Sequence, residues 1–301
     1  MEKSEERKAI ALFSGGLDSI LSVRLIERAG FHVIPLFIYT PFHSKKFPDE
    51  LRIEFEAFYG EDFAKNIVIH ETGEEYLELV KAPRYGYGKN LNPCIDCKIF
   101  FLKIAREYMK KYGAFFVVTG EVLGQRGMSQ RKDAILKIER ESGLSGKIVR
   151  PLSLSFFPET EAEKKGLINR NDFPSIRGRE RKEQINLAKE FGIESFPQPA
   201  GGCLLTDPSF SARVKLLLEE NLFTMGSIHA IKYGRLILRE GVYVVARNNN
   251  ENERLLAISK KYGIDVFIPD FKGPVTAILK GSFQMARSLS CKYTRHCKNS
   301  I

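Results

Sequence analysis

The sequence predicts an α/β protein: a doubly wound parallel sheet covered by helices, followed by a second, smaller α/β domain. Short apolar runs recur along the chain, amphipathic helical patterns separate them, and a glycine-rich turn at 14–19 joins the first run to a helix. The predicted strands are 10–13, 33–39, 67–69, 115–119 and 148–152. The predicted helices are 19–29, 49–59, 97–112 and 179–191. Ligands of such sheets bind beyond the carboxyl ends of the strands, so the chemistry is expected in the loops there.

The pattern changes twice along the chain. Residues 153–173 are rich in charge, Pro and Asn without an apolar period, which predicts an inserted loop that orders around a partner. After a helical pattern at 209–222, strand patterns dominate. We therefore divide the chain into domains 1–224 and 225–301. The second domain is expected to contain strands at 236–238, 242–246 and 266–268 and a helix at 251–262.

The charge balance favours a polyanionic partner. The 301 residues include 47 Lys plus Arg against 37 Asp plus Glu, a net charge of +10. Neutralising phosphates releases condensed counterions, so nucleic acid is the natural partner, while a merely soluble basic surface is the alternative. Basic clusters at 177–182 and 126–132 favour RNA, although each also fits a solvated helix face.

The sequence also predicts the compartment. No apolar run approaches the length needed to cross a bilayer, and the charged start of the chain is not followed by a signal-type apolar segment. We expect a cytoplasmic protein without a membrane partner.

The turn at 14–19, Ser-Gly-Gly-Leu-Asp-Ser, is typical of a phosphate site at a helix N-terminus. Gly15 and Gly16 let the backbone approach a ligand, and Ser14 and Ser19 add hydroxyl donors. Asp18 would repel phosphate unless a cation lies between them, so we infer Mg²⁺ there. The alternative is an ordinary turn in which Asp18 caps the helix. No GxxxxGK[ST] run occurs, which disfavours a Walker-type NTPase.

Three of the five cysteines are candidates for sulfur or metal chemistry, since a cytoplasmic chain favours ligands, redox groups or core residues over disulfides. Cys94 and Cys97 form a CxxC at a helix start, where the dipole is expected to lower the thiol pKa. Cys203 follows two glycines in a turn that leaves a thiol accessible, or else it is a small core residue. Three thiolates suit a [4Fe-4S] cluster with one open iron better than a four-ligand zinc site.

Cys291 and Cys297 flank Arg295 and His296 near the end of the chain. Chain ends are often poorly tied down, so we assign these cysteines no chemistry. A zinc site with His296 is an alternative without a partner motif.

Four segments together resemble the PP-loop tRNA thiolation enzymes, in particular the 4-thiouridine synthetases and 2-thiouridylases. They are 14–19 (the SGGxDS loop), 92–98 (NPCIDCK), 119–130 (TGEVLGQRGMSQ) and 148–152 (IVRPL), and the likeness covers about the first 220 residues. The resemblance implies an adenine nucleotide alpha hydrolase-like fold that binds ATP. It assigns Ser14, Gly15, Gly16, Asp18 and Ser19 to the nucleotide, with Gly120 and Gln125 of the third segment lying over it.

The resemblance departs from that family at both ends. We recognise no tRNA-binding module before the loop, so RNA is expected to be held differently. The segments 233–238, 244–252 and 273–276 are similar to the RNA-binding domain of NFACT-type proteins. Such a domain would bind RNA in place of the N-terminal tRNA-binding module.

The function expected from the resemblance is ATP-dependent thiolation of a tRNA uridine. Adenylation of the base carbonyl would precede sulfur transfer, with Asp18, Cys94, Cys97 and Cys203 as the catalytic set. The three cysteines would ligate the [4Fe-4S] cluster, or one would carry a persulfide that a second resolves as a disulfide. The partners would be tRNA and a sulfur donor, either sulfide or a sulfur carrier protein.

Several points stay open at this stage. Arg126, Arg131, Lys164 and Lys165 could hold flanking phosphates or simply face solvent. Rival functions are a PP-loop synthetase acting on a small metabolite and a non-catalytic RNA-binding protein with a relic nucleotide site. The sequence does not select the uridine, the C2 or C4 position, or the oligomeric state, for which a homodimer is one option.

Overall fold

The computed structural model describes residues 6–43, 48–197, 203–295 and 297. Its larger sheet has the predicted parallel α/β architecture. The strands are β1 (Lys8–Leu12), β2 (His32–Tyr39), β3 (Val68–Glu71), β4 (Phe116–Thr119) and β5 (Ile148–Val149), in the order β3-β2-β1-β4-β5. Every pair is parallel. The carboxyl ends of β1 and β4 meet in register at Leu12 and Thr119, which brings the loops after both strands together.

Helices cover both faces of this sheet, as the doubly wound prediction requires. They are α1 (Leu17–Arg28), α2 (Pro48–Tyr59), α3 (Glu61–Asn66), α4 (Glu74–Lys81), α5 (Cys94–Tyr112), α6 (Lys132–Glu141), α7 (Glu161–Lys164) and α8 (Lys182–Glu190). Side chains alternate along β1, so Ala9 and Ala11 face the core beneath α1 while Ile10 faces the core beneath α5. Because β1, β2 and β4 are buried on both faces, they read as continuous apolar runs in the sequence.

The segment 153–173 differs from the prediction. It has no long element, but the structure folds it against the core without a partner. α7 begins with a capping box in which Thr160 and Glu163 bond each other's backbone amides. Leu154, Ile168 and Phe173 are buried in the core beneath α1. These apolar residues are too widely spaced to form a period, so the sequence pattern did not reveal that each one is an anchor.

The second sheet is antiparallel and follows α9 (Pro208–Glu219) and α10 (Met225–Ala230). It contains β6 (Arg235–Leu238), β7 (Val242–Val245), β8 (Asp265–Phe267) and β9 (Thr276–Lys280), in the order β6-β7-β9-β8. Its helices are α11 (Asn249–Tyr262) and α12 (Phe283–Lys292). The sequence patterns predicted β6, β7, β8 and α11, but not β9 or α12.

One hydrophobic core joins the two sheets. Phe42 and Tyr76 from the first part of the chain pack in the same cluster as Val244 and Leu255. α9 contributes Val214 to that cluster, although it precedes the proposed boundary at residue 225. On the outside, Arg254 pairs with Glu50 and Lys261 pairs with Glu71 across 3.1 Å. These two pairs fix α11 to the start of α2 and to the carboxyl end of β3.

Within the described residues, we find no helix long and apolar enough to span a bilayer.

Candidate functional site

The loop between β1 and α1 is held in a fixed shape by α2. Gly15 has φ +75°, a conformation that favours glycine. Tyr59 donates a hydrogen bond to the Gly15 carbonyl across 2.8 Å. A Cβ at Gly15 would lie 2.6 Å from a ring carbon of Phe55. The turn is therefore specified both by its own backbone and by the two aromatic side chains that pack on it.

The two serines of the loop point into it. Ser19 donates to the Gly16 carbonyl across 2.7 Å, and Ser14 donates to the Ser19 hydroxyl across 3.4 Å. The first intrahelical amide bonds of α1 run from Ser19 and Ile20 to Gly16. The amides before them thus form the free N-terminal end of the helix, which is the usual anion site.

Gly120 is the point where β4 touches α1. A Cβ at this position would lie 2.7 Å from the Asp18 carbonyl oxygen and 2.9 Å from the Ser19 amide nitrogen, both backbone atoms that cannot move aside. Gly120, which sequence reasoning assigned to the nucleotide site, therefore meets the loop directly. Glycine is required at this position because the two backbones approach each other too closely for a Cβ.

Asp18 lies at the centre of this junction. Its Oδ2 accepts a hydrogen bond from Gln125 Nε2 across 3.1 Å, and its Oδ1 is buried with no hydrogen-bond partner among the described residues. Burial raises the pKa of Asp18, while Gln125 and the charges of Arg181 and Arg126 oppose that rise. A buried carboxylate oxygen without a partner, beside an anion-binding loop, fits the Mg²⁺ inferred from the sequence.

Two residues of the α8 region act on Asp18: Gln184 was not predicted, and Arg181 was predicted only as part of the basic cluster at 177–182. Gln184 is fully buried, yet neither atom of its side-chain amide has a hydrogen-bond partner in the described part of the chain. Its amide is nevertheless near enough to Asp18 for a weak side-chain hydrogen bond that lowers the pKa of that carboxyl, and the charge of Arg181 lowers it as well. The available signal was a glutamine at an inward position of an amphipathic helix, one turn before the buried Ala188.

A buried ion network supports the loop after β4. Glu121 accepts from Lys98 across 2.6 Å and from Arg150 across 3.2 Å, and Arg150 also donates to Glu139 across 2.8 Å. Burial alone would raise the pKa of Glu121, but Lys98 and Arg150 outweigh it and hold the pKa at about 2. Lys98, Glu121 and Arg150 come from three of the four segments of the sequence resemblance. The network thus fixes the CxxC helix, the loop after β4 and the end of β5 to one another.

The three candidate cysteines come together although Cys203 lies far from the others in the chain. The charge of Cys203 raises the pKa of Cys97, and that of Cys94 raises the pKa of both other thiols, so all three are within electrostatic reach. Their common setting is the core shared by the two sheets, which Cys97 and Cys203 border. The turn that carries Cys203 is tied there by a hydrogen bond of 2.8 Å from the Leu204 amide to the Phe42 carbonyl. Gly201 and Gly202, which preface this turn, lie outside the described residues.

The thiol pKa values differ from the expectation. The helix start was expected to lower the pKa of the CxxC thiols, but burial raises the pKa of Cys94 and Cys97, and it raises that of Cys203 to about 11. Desolvation outweighs the dipole here. At Cys94 the rise is opposed by the charges of Lys98 and Arg126.

Each CxxC thiol has a specific partner. The Cys97 sulfur lies 3.0 Å from the hydroxyl of the buried Tyr76, and Cys94 donates to Asn92 Oδ1 across 2.9 Å. Among the described residues, no three His, Cys, Asp or Glu side chains are arranged to hold a metal ion. The three free thiols match the ligand type and number of a [4Fe-4S] cluster with one open iron, although in the described residues they are not grouped to hold a metal ion.

Arg126 acts electrostatically on both the loop and the thiols. Its charge lowers the pKa of both Asp18 and Cys94. The exposed Arg126 guanidinium is thus within electrostatic reach of one residue in each half of the predicted site.

The other predicted cations are less informative. Arg131 is exposed and pairs with Asp133 across 3.3 Å. Lys164 and Lys165 are exposed at the end of α7, whose first amide bonds Gly146 just before β5. That location is at the amino ends of the strands, opposite the loop at 14–19. It does not support their assignment to phosphates beside the site.

Cys291 and Cys297 form a disulfide with a Cα separation of 5.1 Å. The expectation that the cysteines of this chain avoid disulfides is therefore wrong for this pair. With both sulfurs bonded, they are not zinc ligands here, and His296 lies outside the described residues. The six-residue spacing brings the two Cα atoms close because Cys291 ends a helix and the chain then turns back.

Comparison with known proteins gives a consistent family. Residues 4–155 match the family model described as "Thiamine biosynthesis protein (ThiI)". A probable tRNA sulfurtransferase of Thermococcus kodakarensis is 31% identical over 146 residues, which are 48% of this chain and 36% of that protein. The tRNA-specific 2-thiouridylase MnmA of Clostridium beijerinckii is 26% identical over 136 residues, 38% of this chain and 35% of that protein. The chain thus matches about a third of the length of these curated relatives.

Two solved structures show more remote likeness. A 4-thiouridine synthetase–RNA complex with bound ATP has a TM-score of 0.38 at 17% identity, covering 75% of this chain and 53% of that one. The U34-tRNA thiolase NcsA from Methanococcus maripaludis, solved with its [4Fe-4S] cluster, has a TM-score of 0.33 at 15% identity, covering 86% and 82%.

Proposed function

We propose, from the premise that the chain belongs to the ThiI family, that it is an ATP-dependent tRNA sulfurtransferase acting on a uridine. One observation supports the proposal: the loop after β4 is bonded to both halves of the site, because Gln125 donates to Asp18 across 3.1 Å and Glu121 accepts from Lys98, the residue after Cys97, across 2.6 Å. An activated carbon formed at the loop would need to travel only a short way to meet sulfur. A nucleotide binder without sulfur chemistry has no need of this adjacency.

The first half of the reaction would take place at the loop. Ser14, Gly15, Gly16 and Ser19 would bind the ATP phosphates at the helix end, and Gln125 would hold Asp18 in place. The uridine carbonyl oxygen would attack the α-phosphorus, pyrophosphate would leave, and the base would carry an adenylate. Mg²⁺ held by Asp18 would supply positive charge that neutralises the leaving pyrophosphate.

The second half would use the thiols. Cys94, Cys97 and Cys203 would hold a [4Fe-4S] cluster, which would supply an open iron for a sulfide. The residues around them have their own tasks: Tyr76 and Asn92 position two of the sulfurs, and Lys98 and Arg126 favour the thiolate at Cys94. Sulfur would then replace oxygen at the activated carbon, and AMP would leave with that oxygen. In the persulfide alternative, two of these thiols would suffice and a disulfide would remain.

The experiment is nucleoside analysis of tRNA. Mass spectrometry of tRNA from a strain lacking the gene should show the loss of one thionucleoside, and its identity names the product. The wild-type gene should restore it, whereas Asp18→Asn and Cys94→Ala should not. Cys291→Ala is the matched cysteine control and should restore it. An unchanged set of thionucleosides in the deletion strain would refute the proposal.

Cluster and persulfide chemistry are separated by iron analysis. Protein purified without oxygen should contain about four iron and four sulfide per chain in the cluster version. Cys94→Ala should lose most of both, and Cys291→Ala should keep them. If iron-free protein still forms the thionucleoside, the cluster mechanism is excluded and the persulfide mechanism is supported.

A further inference from the structure

A cavity of about 580 Å³ lies between the loop after β4 and the start of α8. Its volume is that of a ligand-sized site. The residues lining it are Leu123, Gly124, Arg177, Gly178, Arg179, Glu180, Lys182 and Glu183. None of them has been given a role in adenylation or sulfur transfer.

The walls of this cavity are built by hydrogen bonds. The Gly178 amide donates to the Leu123 carbonyl across 2.7 Å, and Leu123 and Arg177 form a parallel bridge. Ser153 fixes both walls, because its hydroxyl accepts from the Leu123 amide at 3.1 Å and donates to the Ile176 carbonyl at 2.6 Å. The Arg177 guanidinium lies over the Phe156 ring at 5.4 Å. The cavity is thus a fixed part of the fold.

Its charge selects the kind of ligand. Three exposed cations, Arg177, Arg179 and Lys182, line it together with two carboxylates, Glu180 and Glu183. In the described part of the chain, none of these cations forms an ion pair with those carboxylates. A net lining charge of about +1 suits singly charged phosphodiesters, whereas pyrophosphate, with three or more negative charges, would meet repulsion from the carboxylates.

Both walls continue into the adenylation site. Gly124 is followed by Gln125, which bonds Asp18, and by Arg126, which acts on Asp18 and Cys94. On the opposite wall, Arg181 stands between Glu180 and Lys182 and also acts on Asp18. A strand lying in the cavity would therefore hold its next nucleotide beside Asp18.

We propose that this cavity binds the ribose–phosphate backbone of the substrate RNA next to the target nucleotide. This inference rests on the proposed function and assigns it an RNA subsite on the catalytic domain itself. Arg179 and Lys182 hold phosphodiesters, and Arg177, fixed by Phe156, orients the strand. A base extruded from its stack then reaches the loop while the chain on one side of it stays bound.

The test compares two double variants of the full chain. Arg179→Ala with Lys182→Ala removes one arginine and one lysine from the cavity. Arg140→Ala with Lys189→Ala removes the same charges from exposed positions in the last turns of α6 and α8. Lys189 neighbours Glu190, which pairs with Arg28 at the far end of α1. All four side chains are exposed, so both variants should keep the unfolding temperature of the wild type.

Binding of bulk tRNA from the deletion strain is measured over a series of salt concentrations. The cavity variant should bind tRNA about tenfold more weakly, and its slope of log affinity against log salt should fall by about 1.4, the value for two phosphate contacts of a single strand. The control variant should stay within about twofold of the wild type, and ATP affinity and pyrophosphate inhibition should be unchanged in both.

Three results would overturn the inference: wild-type tRNA affinity in the cavity variant, an equal loss in the control variant, or weakened pyrophosphate inhibition with unchanged tRNA affinity. The last result would mean that the cavity takes pyrophosphate. Failure of the proposed function is separate, because it appears as unchanged thionucleosides in the deletion strain whatever the variants do.

Discussion

Gln125 and Asp18, 107 residues apart, are joined by a hydrogen bond of 3.1 Å from the amide Nε2 to the carboxylate Oδ2. The bond ties the loop after β4 to the first turn of α1. Oδ1 of Asp18 is buried and makes no hydrogen bond to the described residues. The Gln125 bond therefore sets the orientation of the Asp18 carboxylate.

Replacing Gln125 by Leu should weaken binding of Mg²⁺–ATP. A hydrogen bond to a charged group contributes about 1.5–3 kcal/mol, which corresponds to a loss of about 10- to 100-fold in affinity. Calorimetric titration with a non-hydrolysable ATP analogue measures the change. Gln125→Glu is a second variant that keeps the size but places two carboxylates together, and it should bind more weakly still in the absence of Mg²⁺. Wild-type affinity in both variants would remove Asp18 from the nucleotide site.

Gly120→Ala should destabilise the protein and disturb the loop. The new methyl would lie 2.7 Å from the Asp18 carbonyl oxygen, so β4 and α1 must move apart. Overpacking of this kind costs about 1–3 kcal/mol, measured as the free energy of unfolding in urea. Gly127→Ala is the matched control, since a Cβ there has no neighbour within 4 Å. Equal stability of the two variants would contradict the close approach.

Acid should weaken the protein through Glu121. The pKa of Glu121 is about 2 in the folded state, below its ordinary value of 4.5, so the folded state binds fewer protons in this range. The stabilisation is present in full above about pH 5 and is lost as the pH falls towards 2, and its size is on the order of 3 kcal/mol. Denaturant unfolding between pH 6 and pH 3 measures it. Glu121→Gln should be less stable at pH 6 and should show a shallower decline; a slope equal to that of the wild type would exclude Glu121 as the source.

The thiols of the metal-free protein should differ in reactivity. Cys94 has Lys98 and Arg126 nearby to favour its thiolate, whereas burial raises the pKa of Cys97 strongly and that of Cys203 to about 11. Cys94 should therefore react with iodoacetamide before the other two thiols do. Peptide mass spectrometry at successive labelling times measures the order. Arg126→Ala should slow Cys94 several-fold and leave Cys203 unchanged, with Arg140→Ala as the control. Faster labelling of Cys203 than of Cys94 in the wild type would contradict this order.

Most of the first sheet could be predicted from the sequence, but few of the polar contacts in the site could. All five strands of that sheet could be predicted, four of them because strands buried on both faces are nearly continuous apolar runs, whereas the edge strand β3 is only partly buried. The loop at 14–19 could be recognised since its residue types and its place between strand and helix are both distinctive. The joining of Cys203 to the CxxC depended on long-range folding, and the sequence suggested it only through the number and setting of the cysteines and the family resemblance.

Other features had no local signal. Arg150 bonds Glu121 and Glu139, which lie 29 and 11 residues away in the chain, and no sequence-spacing rule predicts pairs at those separations. The direction of the thiol pKa shifts depends on how deeply the helix start is buried, which the sequence pattern does not show. β9 was missed because a single short strand after a proline-containing segment resembles a loop, and the disulfide was missed because the inferred compartment argued against it.

The bond from Leu204 to Phe42 has a consequence for biosynthesis. Cys203 reaches the other two thiols only when its turn docks on the end of β2, more than 160 residues earlier in the chain. Under the proposed function, a nascent chain that has completed its first sheet would bind the nucleotide before its three cysteines are together. The sulfur site would be complete only after the segment that contains Cys203 has been synthesised and has docked.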